Sequence, residues 1–216
     1  MPELPEVETI RQQLERKVRG RKIIRVEVIT PKLVNKTASE FNKLISGSFI
    51  EEIRRRAKLL LFKLSNGYNL VVHLKLTGRF LLVKEQDKPT KYTRIIFYLN
   101  RTKLFYEDLR KFGYLRLFST KELEKFLEKE NFGPEPLDRE FTLSVFKNLL
   151  QKRKRSKIKP LLMDQKFIAG VGNVYAQEAC FYAGILPTRE ASTLTDGEIE
   201  KLYKSLRAIL VNAIKY

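Results

Sequence analysis

Cysteine and histidine are nearly missing from this sequence, which holds one of each, Cys180 and His73. A lone cysteine excludes an internal disulfide, and the two residues together cannot form a Cys/His zinc cluster. Cys180 lies in an apolar helical stretch, so we interpret it as a core thiol. No apolar run approaches the length of a membrane span, and no signal-peptide pattern opens the chain. We therefore expect a soluble, cytoplasmic protein that binds no metal through these residues.

Positive charge, in contrast, is abundant. The chain has 216 residues, with 43 lysines and arginines against 25 acidic residues, so its formal net charge is +18. A field of that sign attracts polyanions and speeds their capture. Nucleic acid is the usual polyanion and a membrane surface is the rival, and the sequence favours nucleic acid. Hydrophobic residues make up 43% of the chain, which suits a globular protein with one large or two small domains.

The first half of the chain predicts one helix followed by an antiparallel sheet structure. Pro5 suits the first turn of a helix, apolar residues follow at helical spacing, and Gly20 is a plausible stop. About six runs rich in β-branched and aromatic residues come next, with turns at residues 65–67 and around Asn100. Strands without intervening helices favour an α+β fold, in which an antiparallel β-sandwich packs against the first helix.

The pattern becomes helical near residue 120, where an exposed helix and a turn-rich linker precede further helices from Thr142 onward. In the third of these later helices, Asn173 is predicted to cap the start and Gly184 to end it. Residues 195–198 are predicted to form a capping box for the last helix. We predict a sandwich domain that includes the N-terminal helix over 1–120, a helix and linker over 121–137, and a helical domain over 138–216.

Two basic segments stand out. One consists of arginines 54–56 with Lys58 in a predicted strand, and the other is residues 151–159, with six basic side chains in nine. The second lies between predicted helices, near a glycine-rich turn, "AGVGN", that precedes another helix. Backbone amides at such a turn and helix start can hold a phosphate, although a tight interhelical turn would also explain the glycines. Beside six cations, we favour the phosphate.

The opening "MPELPE" places Pro2 and Glu3 side by side, with Glu6 one helical step further on. Initiator methionine is normally removed before a small residue, which would leave Pro2 with a free secondary amine. The pKa of an α-amine is about 8, so part of it is neutral and nucleophilic at neutral pH. Such an amine attacks carbonyl-like carbon to form an iminium, and a nearby carboxylate can move the protons. Together with the positive charge, this pair suits chemistry at a DNA sugar, although many proteins begin with Met-Pro for no catalytic reason.

Motifs that match a known family run through the whole chain. In order they are "PELPEVET", "RRRAKLLLF", "HLKLTGRF", "DLRKFG", "GPEPL" and "IKPLLMDQKFIAGVGNVYAQEACFYAGILP". The chain thereby resembles the formamidopyrimidine-DNA glycosylase family, the bacterial repair enzymes of oxidised purines. The resemblance implies a β-sandwich with an N-terminal helix, then a helix-two-turn-helix domain, in a monomer that binds damaged double-stranded DNA. It also implies removal of 8-oxoguanine and formamidopyrimidines, with abasic-site lyase activity by β,δ-elimination.

The same resemblance implies roles for individual residues. Pro2 would attack the sugar C1′ carbon and form a Schiff base, Glu3 would move protons there, and Lys58 would contribute to the lyase step and grip a phosphate. Glu6 would lie in the lesion pocket. The residues implied to fill the void left by the flipped base are Leu76, Arg110 and Phe112. The residues implied to contact DNA are His73, Lys91, Arg110, Lys154, Arg155, Lys159 and Asn173.

Some assignments have alternatives, and the family pattern is incomplete. From the sequence alone, Phe112 fits an aromatic of the sheet core better, His73 fits a hydrogen-bonded strand histidine equally well, and each lysine fits a solvated face. Family members usually continue with a capping loop and a four-cysteine zinc hairpin, which this sequence does not contain, and Leu109 replaces the usual proline of "DPR". The rival functions are therefore a lyase that acts only on abasic sites and a non-catalytic binder of damaged or kinked DNA.

Overall fold

The computed structural model describes residues 1–215, which divide into two compact units. The sandwich unit comprises Met1–Pro2 with Thr9–Phe126, and the helical unit comprises Glu3–Glu8 with residues 127–215. The first helix therefore contributes residues to both units. The domain limits at residues 120 and 137 stay a prediction.

The sandwich unit contains two four-stranded antiparallel sheets in the part of the chain that the structure describes. The strands are β1 (Ile23–Val28), β2 (Ile50–Arg56), β3 (Leu59–Leu64), β4 (Tyr68–His73), β5 (Gly78–Lys84), β6 (Thr93–Leu99), β7 (Thr102–Asp108) and β8 (Tyr114–Ser119). Their order is β1-β6-β7-β5 in one sheet and β2-β3-β4-β8 in the other. The predicted α+β class with an antiparallel sandwich is confirmed, with more strands than the sequence indicated.

The helices of the described chain are α1 (Leu4–Val18), α2 (Ala38–Ile45), α3 (Thr120–Glu130), α4 (Leu143–Gln151), α5 (Ile158–Met163), α6 (Asn173–Ala183) and α7 (Asp196–Lys215). Short 3₁₀ helices lie at Pro31–Leu33 and Ala191–Thr193. The predicted first helix is confirmed. In the sandwich unit, Glu15 of α1 accepts the backbone N–H of Ile53 at 2.7 Å, and Arg11 donates to the carbonyl of Ile53 at 3.2 Å. These bonds attach α1 to β2.

Turn chemistry and burial explain the strand arrangement. The predicted hairpin turns at residues 65–67 and around Asn100 are confirmed, because β3 pairs with β4 and β6 pairs with β7. The inner strands β4 and β6 are buried along most of their length, in agreement with the apolar runs at residues 70–72 and 95–97 in their sequences. The edge strand β1 instead has only two buried residues, Ile23 and Val26, which are separated by exposed positions.

The helical unit has its own apolar core, which includes Phe146, Leu162 and Leu206. Cys180 is fully buried in this core, so its interpretation as a core thiol is confirmed. Within residues 1–215, no helix combines the length and the apolar character needed to cross a bilayer.

The predicted helix ends of this unit are confirmed with one exception. Gly184 is the left-handed C-cap of α6, and Thr195 and Glu198 form the reciprocal bonds of a capping box at the start of α7. Asn173 as the cap of α6 is wrong: Gly172 is the N-cap, and Asn173 is the first helical residue. The reason is that the N–H groups at this helix start donate to the carboxylate of Glu3, so they need no acceptor from the side chain of a neighbouring residue.

Candidate active site

The carboxylate of Glu3 is buried and bound by the backbone at the start of α6. Its oxygens accept hydrogen bonds from the N–H groups of Gly172 at 2.7 Å, Val174 at 2.9 Å and Tyr175 at 3.4 Å. These amides have no partner within the helix, and the positive end of the helix dipole attracts the negative charge. We call this arrangement the Glu3 clamp. It fixes the orientation of a carboxylate that follows Pro2 directly in the chain.

Gly172 makes the Glu3 clamp possible. A Cβ atom at this position would lie 2.4 Å from Cδ and 2.5 Å from Oε1 of Glu3, so the carboxylate approaches the backbone too closely for any side chain. The interpretation of this turn as a phosphate cradle is wrong for the clamp amides, because a carboxylate of the chain already occupies them. The glycine pattern indicated an anion site, and the anion is the protein's own.

The turn before α6 is braced by Gln165. Its side chain accepts the N–H of Gly170 at 2.9 Å and donates to the carbonyl of Val171 at 2.7 Å. The carbonyl of Gly170 in turn accepts the N–H of Leu4 at 2.9 Å. The turn that leads to the Glu3-binding amides is therefore held by hydrogen bonds from the side chain of Gln165 and from the backbone of Leu4.

Glu6 is exposed, but both of its carboxylate oxygens have partners. One accepts the N–H of Glu3 at 2.8 Å, and the other accepts the hydroxyl of Tyr175 at 2.5 Å. Burial and then the bond to Glu6 raise the pKa of Tyr175, so its hydroxyl remains a neutral donor. Glu3 and Glu6 are thus hydrogen-bonded to each other, and both carboxylates accept hydrogen bonds from residues of α6. Sequence reasoning missed Tyr175, whose only signal is its position on the buried face of that helix.

The other two predicted catalytic residues, Pro2 and Lys58, belong to the sandwich unit. Pro2 is half-buried, and Met1 is 57% exposed. Lys58 is buried and follows Ala57, whose φ of 51° turns the backbone between β2 and β3. The placement of Lys58 within a strand is wrong, because β2 ends at Arg56 before this left-handed residue.

His73 ends β4 and is held by a local hydrogen bond. Its Nδ1 accepts the N–H of Lys75 at 3.0 Å, and its ring lies 5.6 Å from the ring of Tyr114. Burial, and then the charges of Lys75 and Lys58, lower the pKa of His73 to about 3. A neutral imidazole that accepts at Nδ1 carries its proton at Nε2. The interpretation as a hydrogen-bonded strand histidine is confirmed, and its contact with a phosphate stays a prediction.

The predicted void-filling residues lie on two loops of the sandwich unit, residues 74–77 and 109–113, which we call the probe loops. Leu76 is 37% exposed on the first, and Phe112 is 55% exposed on the second. The interpretation of Phe112 as a sheet-core aromatic is wrong, because β7 ends at Asp108 and Phe112 follows in a loop. The guanidinium carbon of Arg110 lies 4.8 Å from the centre of the Phe112 ring, a cation–π distance.

The remaining predicted DNA contacts are surface groups of both units. Those with exposed side chains are Lys91, Lys154, Arg155 and Asn173. Lys159 is half-buried in α5, and its ammonium group donates to the side-chain oxygen of Gln177 at 2.8 Å. The exposed cations are placed to meet a polyanion from solvent, and their contact with DNA stays a prediction.

Comparison with known families decides the membership of the chain. The formamidopyrimidine-DNA glycosylase N-terminal domain matches residues 1–115, and the formamidopyrimidine-DNA glycosylase H2TH domain matches residues 132–216.

The chain belongs to the formamidopyrimidine-DNA glycosylase family.

Named relatives and solved structures agree with this assignment. The formamidopyrimidine-DNA glycosylase of Pelotomaculum thermopropionicum is 45% identical over all of this chain and 78% of its own length. That of Carboxydothermus hydrogenoformans is 41% identical over the same shares. The Lactococcus lactis Fpg in complex with abasic-site DNA is 36% identical and superimposes with a TM-score of 0.93, over 99% of this chain and 78% of its own. The same protein with Fapy-dG DNA gives a TM-score of 0.93 over 99% and 80%.

The zinc ion that the resemblance associates with formamidopyrimidine-DNA glycosylases finds no fitting ligand set in the residues described. Among them, no group of three His, Cys, Asp or Glu side chains could hold a metal ion. Cys180 is buried in α6, where burial raises the pKa of its thiol to about 11, so it stays protonated. A cysteine binds zinc as its thiolate, and a structural zinc site needs four ligands.

Proposed function

We propose that this chain is a bifunctional enzyme that removes oxidised purines, 8-oxoguanine and formamidopyrimidines, from DNA and then cleaves the abasic site. Its relatives are named formamidopyrimidine-DNA glycosylase, and solved Lactococcus lactis structures like it are complexes with abasic-site and Fapy-dG DNA. The observation that carries the proposal is the Glu3 clamp, which fixes an acid next to Pro2 in the chain.

The first step is a displacement at the sugar. With Met1 removed, the neutral amine of Pro2 attacks C1′, and the bond from C1′ to the base nitrogen breaks, its electron pair leaving with the base. The amine loses a proton and the departing base gains one, and Glu3 moves them. Opening of the C1′–O4′ bond, with protonation of O4′, then leaves an iminium between Pro2 and C1′.

The second stage is strand cleavage. The iminium withdraws electrons, so a proton on C2′ becomes acidic and its removal expels the 3′ phosphate from C3′. A further elimination expels the 5′ phosphate from C5′, and hydrolysis of the iminium frees Pro2. We assign Lys58 to this lyase stage, because an ammonium group stabilises the charge of a departing phosphate.

Access to the lesion requires other residues. A base inside a duplex must be flipped out at the expense of stacking energy, and inserted side chains can fill the gap. We assign Leu76, Arg110 and Phe112 to this role and Glu6 to the lesion pocket. The residues assigned to DNA phosphates are His73, Lys91, Lys154, Arg155, Lys159 and Asn173. These steps need no cofactor, and we expect the enzyme to act as a monomer in the cytoplasm.

Borohydride trapping of the iminium tests the proposal. The purified protein is incubated with two duplexes, one with 8-oxoguanine and one with an abasic site, and covalent complexes are resolved by gel. We expect trapping on both. Trapping on abasic DNA alone would assign the chain to the abasic-site lyases, and gel-shift binding without trapping would make it a non-catalytic binder.

A matched control keeps the sequence unchanged. Protein produced while methionine aminopeptidase is inhibited retains Met1, which mass spectrometry verifies. The blocked Pro2 nitrogen is then part of a peptide bond and cannot form the iminium, so trapping at Pro2 is lost. Full cleavage activity by protein that keeps Met1 would contradict Pro2 as the nucleophile.

A further inference from the structure

Asp108 ends β7 and is fully buried, yet it takes no part in the steps proposed above. Its Oδ1 accepts the hydroxyl of Thr77 and the N–H of Arg110, the latter at 3.1 Å. Its Oδ2 accepts the N–H of Gly113 at 2.9 Å. Thr77 belongs to one probe loop, and Arg110 and Gly113 belong to the other. A single carboxylate therefore joins the two loops.

A second bond closes this connection. The N–H of Arg110 also donates to the hydroxyl oxygen of Thr77 at 3.0 Å, so the two loops touch directly as well as through Asp108. Leu76 immediately precedes Thr77, and Arg110 is the donor on the other side. The bonds between the loops therefore form at Arg110 itself and at the residue next to Leu76, two of the predicted void-filling residues.

Both probe loops contain a residue in an unfavourable backbone conformation. Lys75 has a φ of 53° and Lys111 a φ of 56°, in the left-handed region that side chains disfavour by about 1 kcal/mol or more. Lys75 directly precedes Leu76, and Lys111 lies between Arg110 and Phe112. Such conformations persist where surrounding contacts hold them, and Asp108 supplies contacts on both loops.

Tyr106 fills the space behind the loops. A Cβ atom at Gly113 would lie 1.9 Å from the Tyr106 hydroxyl, and one at Gly78 would lie 2.6 Å from it, so the backbone packs directly against this side chain. The hydroxyl of Tyr106 is buried and has no hydrogen-bond partner among residues 1–215. The polar link between the loops therefore runs through Asp108 and not through Tyr106.

We propose that Asp108 is a positioning residue that couples the two probe loops, so that Leu76 enters DNA together with Arg110 and Phe112. This inference rests on the proposed function, in which these side chains fill the void beside a flipped nucleotide. Asp108 acts on insertion and not on bond breaking. Its loss slows reaction at a site inside a duplex and spares reaction at a site that is already unpaired.

The test compares two substrates with Asp108→Asn, which keeps the shape of the side chain but turns one acceptor into a donor. The rate of borohydride trapping is measured on an abasic site in a duplex and on the same site in a single strand. We expect the ratio of duplex to single-strand rate to fall about tenfold to a hundredfold, as a misplacement of binding groups would cause. The single-strand rate is expected to stay unchanged. A 2-aminopurine opposite the site should lose the fluorescence rise that unstacking produces.

Two further variants keep the test decisive. Thr77→Val removes the hydroxyl that donates to Asp108 and should lower the same ratio, whereas Thr77→Ser should restore it. Tyr106→Phe removes the unpartnered hydroxyl behind the loops and should leave the ratio unchanged. An unaltered ratio in both Asp108→Asn and Thr77→Val, or an equal fall on both substrates, would overturn the inference. A wild-type protein that traps neither substrate would instead contradict the proposed function.

Discussion

The two units use buried carboxylates in different ways. In the helical unit, Glu3 is bound by three amides at one helix start and is itself predicted to act on the substrate. In the sandwich unit, Asp108 is bound by groups from two loops, and the predicted substrate contacts are exposed neighbours on those loops. In the proposed function, the chemical step therefore relies on a fixed acid, whereas recognition relies on exposed side chains whose loops are held by a buried carboxylate.

The difference has a consequence for mutations. The donors of the Glu3 clamp are backbone N–H groups, which a substitution other than to proline does not remove. Their hydrogen bonds are therefore broken only by changing Glu3 or by pushing its carboxylate away. The donors to Asp108 include a side-chain hydroxyl, so that network can be weakened one bond at a time. Changes in the helical clamp should therefore slow reaction on every substrate, while changes behind the probe loops should separate paired from unpaired substrates.

The largest effect is expected for Glu3→Gln, which changes the buried carboxylate of the helical unit. The amide cannot exchange protons, and its NH₂ group would face the N–H donors of the clamp. We expect base release from an 8-oxoguanine duplex to fall by about 10²–10⁴-fold, the usual contribution of a general acid or base. Single-turnover kinetics with product analysis measures this rate.

Glu130→Gln provides the matched control, because Glu130 is an exposed acid at the end of α3. This variant should release base at the wild-type rate. Wild-type kinetics in Glu3→Gln as well would remove Glu3 from the chemistry and reduce the clamp to a structural contact.

Gly172→Ala should come next in size. The added methyl group would lie 2.4 Å from Cδ of Glu3, so either the carboxylate or the turn must move. We expect the free energy of unfolding to fall by about 1–3 kcal/mol, as overpacking does, with slower base release on duplex and single strand alike. Denaturant titration and the trapping assay measure the two quantities.

Gly197→Ala is the matched control in the same unit, since a Cβ there meets nothing within 4 Å. It should leave activity unchanged and alter stability by no more than about 1 kcal/mol. If Gly172→Ala keeps wild-type base release and stability as Gly197→Ala does, the close approach of Glu3 to the α6 backbone limits neither quantity.

The sequence predicted the fold more fully than it predicted the contacts of the site. Hairpin turns and helix ends were predictable because they depend on neighbouring residues, as the helix stop at Gly184 and the capping box at the start of α7 illustrate. The Glu3 clamp was not, since Glu3 and Gly172 are 169 positions apart and only the folded chain brings them together. Phe112 shows the same limit, because an aromatic in a strand-like run looks buried until the end of β7 is known.

A pH-dependent effect is expected in the sandwich unit. His73 has a folded-state pKa of about 3, well below the ordinary value of 6.5, so the unfolded chain binds its proton first as the pH falls. The contribution of neutral His73 to the free energy of unfolding is therefore fully present above pH ~6.5 and is lost as the pH falls towards ~3. Between pH 7 and pH 5, the wild type should lose about 1–2 kcal/mol more unfolding free energy than His73→Gln. Equal losses in denaturant titrations of the two proteins would show that His73 titrates normally when folded.

The smallest effect is expected for exposed cations, which neither unit holds in a buried network. If Lys154 and Arg155 each neutralise a phosphate, the double variant Lys154→Gln/Arg155→Gln should reduce the slope of log Kd against log salt by about 1.8, equally on damaged and undamaged duplex. Lys204→Gln is the control, because Lys204 pairs with Glu200 at 2.6 Å and is not a predicted DNA contact. An unchanged slope in the double variant would place both side chains on a solvated face. A change limited to damaged DNA would instead assign them to recognition, the role that the comparison reserves for the probe loops.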